Sequence, residues 1–514
     1  MRTRFAIFAA ICIVAGCAVD YPEGRITCTT SADCPATWSC VAMRCYSSAD
    51  ASTDGGVDAH VVSDSGVDAF GIDSAPMLDL GIDAPTIVDV GVDAAPSVDA
   101  FVFPDGGRPT SPLEEAIPFP DAAATDHFGI SVAFSADGTR AIVGAPADDT
   151  AVGADTGSAR VYVRGGTTWT PEATLIASGE TNGDLAGWSV AMSGDGTRAV
   201  VTVPRDDVGQ MDSGSARVFV RAGTAWTEEA SLRPTNASAM DNFGWSAAID
   251  ATGTRVVVGA IDDDMVTGTD VGSATVFVRS GTSWSQETQL TALGAGMNAQ
   301  FGASVGITSD GARIIMGGIG DVRSGAATGS ARVFLRAGTS WSEEATLVPT
   351  GGSAGDEFGI SVDITADGTR AVVGAHFDDV GATAVSNAGS AKVFVRTGTS
   401  WAQEASLVST AVVANAELGT SVALSADGHI VIVGAPGDTT AVGALRGSAL
   451  VFIRSGSAWT PMATLTRPTS NSGDAFGISV ALTDDGSRAL VAASKDDTLA
   501  TDSGRAWAYL LPIW

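Results

Sequence analysis

The residues FGISVAFSADGTRAIVGAP, Phe128 to Pro146, decide the fold. An acidic loop follows them, then GSARVYVRGGTTW (Gly157 to Trp169), then a tail ending EATL at Leu175. The same order of residues returns six more times. Its FG-like glycine falls at Gly129, Gly187, Gly244, Gly302, Gly359, Gly419 and Gly477, a period of 57 to 60 residues. A fixed period of this length marks stacked or radial units, none of which can bury its apolar face alone.

Each unit offers four short runs of alternating or wholly apolar character, separated by Gly, Asp and Thr. In the first they are Ser131–Ser135, Arg140–Ala145, Ala159–Arg164 and Trp169–Leu175. Asp137-Gly138 between the first two is a hairpin signal, since glycine accepts positive φ without steric cost. Asp-Gly recurs there in six of seven repeats, and the third has Thr252-Gly253. The second run is apolar throughout, which suits a strand covered on both faces. Four antiparallel strands repeated seven times predict an all-β fold, a seven-bladed β-propeller over residues 113–514.

Phe128-Gly129 and Gly144-Ala145-Pro146, with counterparts such as Phe243-Gly244 and Gly259-Ala260, resemble the FG-GAP repeats of integrin-α-like propellers and their bacterial relatives. The resemblance implies a binding or adhesion module. Calcium-binding members carry a DxDxDG-like loop between the first two strands. Here that turn is Ala136-Asp137-Gly138-Thr139, one carboxylate where Ca²⁺ takes six to eight oxygens. The calcium sites are therefore not carried over, no cofactor is expected, and a divalent cation on the acidic loops stays open.

The net charge is -31 and the only lysines are Lys392 and Lys495. Such a surface repels nucleic acid, which is excluded as a partner, and anionic headgroups. The chain opens MRTRFAIFAAICIVAGCAVD: basic Arg2 and Arg4, then an apolar run too short to span a bilayer. Val14-Ala15-Gly16-Cys17 looks like a bacterial lipobox, so residues 1–16 are expected to be a signal peptide and Cys17 a lipidated N-terminus. Ala18 after the cysteine favours, by resemblance to bacterial sorting patterns, the outer membrane. Cys28, Cys34, Cys40 and Cys45, within a segment ending at residue 46, imply two disulfides with three pairings open. Zinc is the rival reading, but no CxxC pair and no nearby histidine supports it. Residues 47–112 then collapse to Asp, Ala, Val, Gly, Ser and Pro, with Asp almost the sole charge. We read this stretch as a disordered acidic tether of about 65 residues, with a root-mean-square span of about 45 Å.

The seventh repeat lacks its fourth strand, and Leu113-Glu114-Glu115-Ala116 resembles Trp226-Thr227-Glu228-Glu229-Ala230. A composite last blade, completed by residues 113–119, is expected to close the ring and remove exposed edges. Gly302-Ala303-Ser304-Val305-Gly306 matches a GxSxG elbow, but Ser304 is the repeat's own serine, equivalent to Ser131 and Ser189, and no helix follows. His60, His127, His376 and His429 are scattered. Trp169, Trp226, Trp284, Trp341, Trp401 and Trp459 recur at one position and are read as packing. Trp188 and Trp245 break the pattern, standing where other repeats have Ile130, Ala303, Ile360, Thr420 and Ile478.

Alternating strand direction puts the strand 2–3 loops and the blade-to-blade connections on one face. Three of the four intervals within the repeat never vary, and all length variation falls in the 2–3 loop, 12 to 15 residues. Those loops hold Asp148-Asp149, Asp206-Asp207, Asp262-Asp263-Asp264, Asp378-Asp379 and Asp496-Asp497, and the connections add Asp126, Asp184, Asp241, Asp356 and Asp474. Arginines such as Arg140, Arg164 and Arg370 collect on the opposite face. The expected function is binding: a monomeric, lipid-anchored envelope protein whose acidic rim, with Trp188 and Trp245 nearest the channel mouth, captures a protein or glycan. An enzyme with its active site in the channel mouth and a purely structural envelope component are the alternatives.

Overall fold

The computed structural model describes residues 113–512, apart from 324, 382–383, 440–445 and 468–470, together with the backbone of four short strands between Ala18 and Ser47. It divides into two compact units, residues 1–107 and 108–514. In the smaller unit, strands Ala18–Asp20, Arg25–Thr27, Arg44–Ser47 and Trp38–Val41 lie side by side in that order. The hairpin of the last two sets Cys40 opposite Cys45. Cys17, Cys28, Cys34 and the linker beyond Ser47 lie outside the described residues.

The larger unit is seven sheets of four antiparallel strands, taken in chain order around a ring. Blade one consists of Val132–Phe134, Arg140–Ala145, Ser158–Gly165 and Thr168–Leu175. The second strand is buried from its second residue onward in every blade, as its unbroken apolar run requires. Blade four adds a small hairpin, Val322–Arg323 with Ala326–Ala327, in its 2–3 loop.

The repeated glycines are explained at the junctions between blades. Gly144, on the second strand of blade one, lies against Gly187 at the entry to blade two, and a Cβ on Gly144 would stand 2.0 Å from the Gly187 carbonyl oxygen. Gly187 itself has φ +90°, which a side chain would strain. Each FG-like pair also makes one parallel bridge to the preceding blade, as Ala186 does with Gly157. The seventh such bridge, Phe128 with Gly504, joins the last blade to the first.

The last blade is composite, as read from sequence: Leu113–Ile117 pairs with Arg505–Leu510, Leu113 opposite Leu510 and Ile117 opposite Ala506. This closing strand has five residues where other outer strands have eight. A cleft of about 490 Å³, lined by Pro118, Phe119, Trp169 and Leu499, opens along the seam. On the 1–2 turn face a second closure operates. Backbone bonds of 2.9–3.2 Å run from blade to blade, beginning with Ala136 N–H to Gly194 O and returning with Asp484 N–H to Ala136 O.

The six recurrent tryptophans clamp neighbouring blades. Glu172 of blade one accepts from Arg140 Nε of its own blade (3.0 Å), and from Arg221 Nε (3.0 Å) and Trp226 Nε1 (3.1 Å) of blade two. Glu229, Glu287, Glu344 and Glu404 likewise join the arginine of their own blade to Trp284, Trp341, Trp401 and Trp459, and Arg336 adds the next blade's bond at Glu287. Between blades six and seven the node is apolar as a set: Met462 replaces the glutamate, Ile430 the arginine, and the closing strand brings no tryptophan. A lone carboxylate there would lack its donors, so the members have changed together.

Candidate binding face

The loop face is built on carboxylates, but most of them serve the fold. In six of the seven blades an aspartate of the 2–3 loop turns inward onto the serine that starts the third strand. Ser158 Oγ donates to Asp148 at 2.5 Å, Ser215 to Asp206 at 2.5 Å, Ser273 to Asp263 at 2.5 Å and Ser390 to Asp378 at 2.5 Å. Asp148, Asp206, Asp263 and Asp496 are buried. The residue two beyond the serine sets the local charge. Arg217 donates to Asp206 at 3.0 Å, while Thr275 holds the equivalent place near Asp263. Burial pushes both carboxyls up. At Asp206 the bonds from Ser215, Val208 N–H, Arg217 and Arg233 outweigh it and leave the group below the usual range. At Asp263 burial prevails over the Ser273 bond, and Asp264 adds to the rise.

In five loops the residue directly after this position is also an aspartate, which stays at the surface and caps the far end of the loop. Asp149, Asp207, Asp264, Asp379 and Asp497 accept the backbone N–H of Asp155, Asp212, Asp270, Asn387 and Asp502, at 2.7–3.0 Å. Each of those donors sits at φ of 49–50°, where Asn and Asp are tolerated best. Asp262 is half-buried and accepts from Asn242 Nδ2 at 2.7 Å. The connection aspartates are deeper. Asp126, Asp241 and Asp474 are buried, each accepting the N–H three residues earlier. Burial, opposed by that bond and reinforced by the loop aspartates of the same blade, pushes all three up to about 6.

What remains free to meet a partner is more apolar than the sequence suggests. Trp188 and Trp245 are half-buried and touch across two blades, ring centroids 4.9 Å apart and planes 49° apart. Met211, Met240 and Met297, in the neighbouring loops and connections, are exposed. Sequence reading passed over them, although four of the ten methionines fall between Met211 and Met297, at variable positions. Near blade five, His376 Nε2 lies 2.9 Å from Glu357 and stacks on Phe377, with Nδ1 3.4 Å from Thr420 Oγ1. These residues are 19 and 44 positions apart, and no motif announces them.

The other expected chemistry resolves into structure. Ser304 lies within a strand and donates to Gly359 O at 2.8 Å. Asp137 of the first 1–2 turn accepts from Ser135 and Thr139 within the turn. Arg140 and Arg370 on the opposite face are held in the glutamate clamps. Among the described residues no group of three His, Cys, Asp or Glu side chains converges as a metal site.

A family model described as FG-GAP repeat matches residues 115–162, 169–219, 226–277, 341–394, 401–452 and 459–509, more than half of the chain. Each matched segment begins on an outer strand and ends on the third strand of the next blade, so the repeating unit straddles two blades. The segment between 277 and 341, which holds the extra hairpin of blade four, is unmatched. No curated protein matches the chain.

Proposed function

The chain belongs to the FG-GAP repeat family, and on that premise we propose that it is a lipid-anchored binding protein of the bacterial cell envelope. Membership points to a binding or adhesion-type role and away from catalysis. In our reading Cys17 carries the lipid at the outer membrane, the acidic linker is the tether, and a monomeric propeller presents its 2–3 loop face to a protein or glycan. The observation that carries this reading is the contrast between invariant spacing elsewhere in the repeat and variable length on that face alone, where Trp188 and Trp245 also break the pattern. Such variation on a rigid scaffold is how binding loops differ from structural ones.

The test is capture from envelope extract by the full chain, with and without chelator. Asp149→Asn, Asp207→Asn, Asp264→Asn and Asp379→Asn together remove four charges while an amide oxygen still caps each loop. Capture is expected to weaken and lose salt dependence, whereas Ser283→Lys with Ser340→Lys on the turn face leaves it unchanged. Equal capture by both variants rules this face out. In the same cells Cys17→Ser is expected to leave the protein unprocessed or soluble. The second reading, an enzyme, is favoured only by the Glu357, His376 and Thr420 cluster.

A further inference from the structure

We propose that the sector of the loop face over blades two to four docks a cationic amphipathic polypeptide, one presenting apolar side chains flanked by lysine or arginine. This rests on the reading of the loop face as the binding face, and narrows it to one sector and one chemistry.

Exposed apolar side chains concentrate there. Met211 is 56% exposed, Met240 56%, Leu293 81% and Met297 62%. The corresponding loop of blade five exposes no large hydrophobic residue among its described positions. The exposed groups are joined through the loops: Met240 N–H donates to Met211 O at 2.9 Å. Gly268 leaves room for Met297, whose Cγ would lie 2.4 Å from a Cβ there. The Trp188–Trp245 contact stands at the entry to the first strands of blades two and three. A concentration of exposed apolar side chains on an otherwise polar face marks an interaction site, and methionine adapts to an irregular partner surface.

Charge selects among partners. Asp207 and Asp264 are exposed beside the patch and Asp212, Asp262 and Asp270 are half-exposed. Among the described cations of these loops and connections, Arg205 is exposed, Arg323 is held by Asp321 at 2.6 Å, and Arg233 is held by Asp206. An acidic border around apolar groups disfavours anionic lipid, and a net charge of -31 disfavours a second copy of this chain. Thioethers accept hydrogen bonds only weakly and aliphatic groups not at all, and two indoles tilted at 49° do not form one flat platform for a sugar ring. Lysine or arginine flanking an apolar stripe satisfies both features at once.

The experiment is fluorescence anisotropy on the full chain with three probes: an 18-residue Leu/Lys peptide with one apolar helical face, an oligolysine of equal charge, and chitohexaose. The amphipathic peptide is expected to bind at least about tenfold tighter than oligolysine and to remain bound at 0.5 M salt, where screening releases oligolysine. Met240→Ser with Leu293→Ser and Met297→Ser, all at exposed positions and checked for an unchanged melting curve, is expected to weaken peptide binding about tenfold or more. Val152→Ser with Leu499→Ser, elsewhere on the face, is expected to change it less than about twofold. Equal affinity for oligolysine, tighter binding of chitohexaose, or equal effects of the two variants overturns the proposal. If the triple variant still captures its envelope partner while the four Asp→Asn changes abolish capture, the sector assignment falls and the binding face stands. If neither variant affects capture, both fall.

Discussion

The indole N–H of Trp169 in the first blade donates to Oε2 of Glu115 at 3.0 Å, across the seam where the chain closes its ring. Glu115 also accepts from Arg488 at 3.0 Å, so one buried carboxylate ties together the first blade, the second strand of blade seven and the closing strand. Its neighbour Glu114 points outward to Arg467.

Glu115→Ala is therefore expected to cost about 3 kcal/mol, because it strands a buried guanidinium and an indole N–H. Glu114→Ala is expected to cost less than about 1 kcal/mol, as a surface pair does. Urea unfolding of the two variants separates them. Truncation to Pro109 should leave the melting temperature nearly unchanged, whereas truncation to Pro120 removes the closing strand and should lower it sharply.

The apolar node between blades six and seven provides an internal precedent for a second test. Glu404 accepts from Arg370 and Trp459 at 3.2 and 3.1 Å. Glu404→Met alone should destabilise by about 3 kcal/mol. Adding Arg370→Ile, which reproduces the Ile430 and Met462 pair, should recover about 1–2 kcal/mol of that loss. Additive losses in the double-mutant cycle would show that the node's members do not act together.

Stability should peak between about pH 4 and 4.5. Burial raises Asp126, Asp241 and Asp474 to about 6, against 3.8 for the unperturbed group. The folded state thus holds protons that the unfolded state has released, and stability falls as pH rises from about 4 to 6. Glu172, Glu229, Glu287 and Glu404 shift the other way: burial pushes them up, but their arginine and tryptophan bonds hold them below the usual value of 4.5. Their contribution is present above that value and lost as pH falls below it. Asp126→Asn, Asp241→Asn and Asp474→Asn together should raise the melting temperature at pH 7.5 and flatten its fall between about pH 4 and 6. An unchanged slope would show that these groups ionise normally in the folded protein.

Disulfide mapping offers a fourth test. Val41 pairs with Arg44, and Cys40 pairs with Cys45 next along the hairpin. Antiparallel pairs alternate between wide and narrow, and a Cα separation of about 4.5–5.5 Å suits a bridge at either. Peptide mapping without reductant should recover Cys40 with Cys45, which leaves Cys28 with Cys34. A Cys28–Cys45 peptide would exclude this pairing.

The strands were legible because Asp-Gly turns and Gly-Ser entries punctuate them at constant spacing. The composite blade was legible because Glu115 and Ala116 repeat the residues of an outer strand. The role of Asp148 and its equivalents was not. Their serine partners lie 9 to 12 residues on, across the one interval whose length varies, so no fixed spacing links them. In sequence an inward carboxylate and an outward one read alike as acidic loop, and only the register of the third strand tells Asp206 from Asp207. The glutamate clamps were hidden for a related reason, since Glu172 and Trp226 are 54 residues apart and meet only when two blades pack.

The pairing of Leu113 with Leu510 fixes where the chain enters the propeller. The closing strand runs from the turn face toward the loop face, so Leu113, where it begins, lies on the side of the 1–2 and 3–4 turns. A force applied through Leu113 therefore acts on the turn-face end of this strand. A pull along the closing strand's own axis strains its five backbone pairs together instead of unzipping them one by one. The strand that completes the ring is thus also the one placed to carry load.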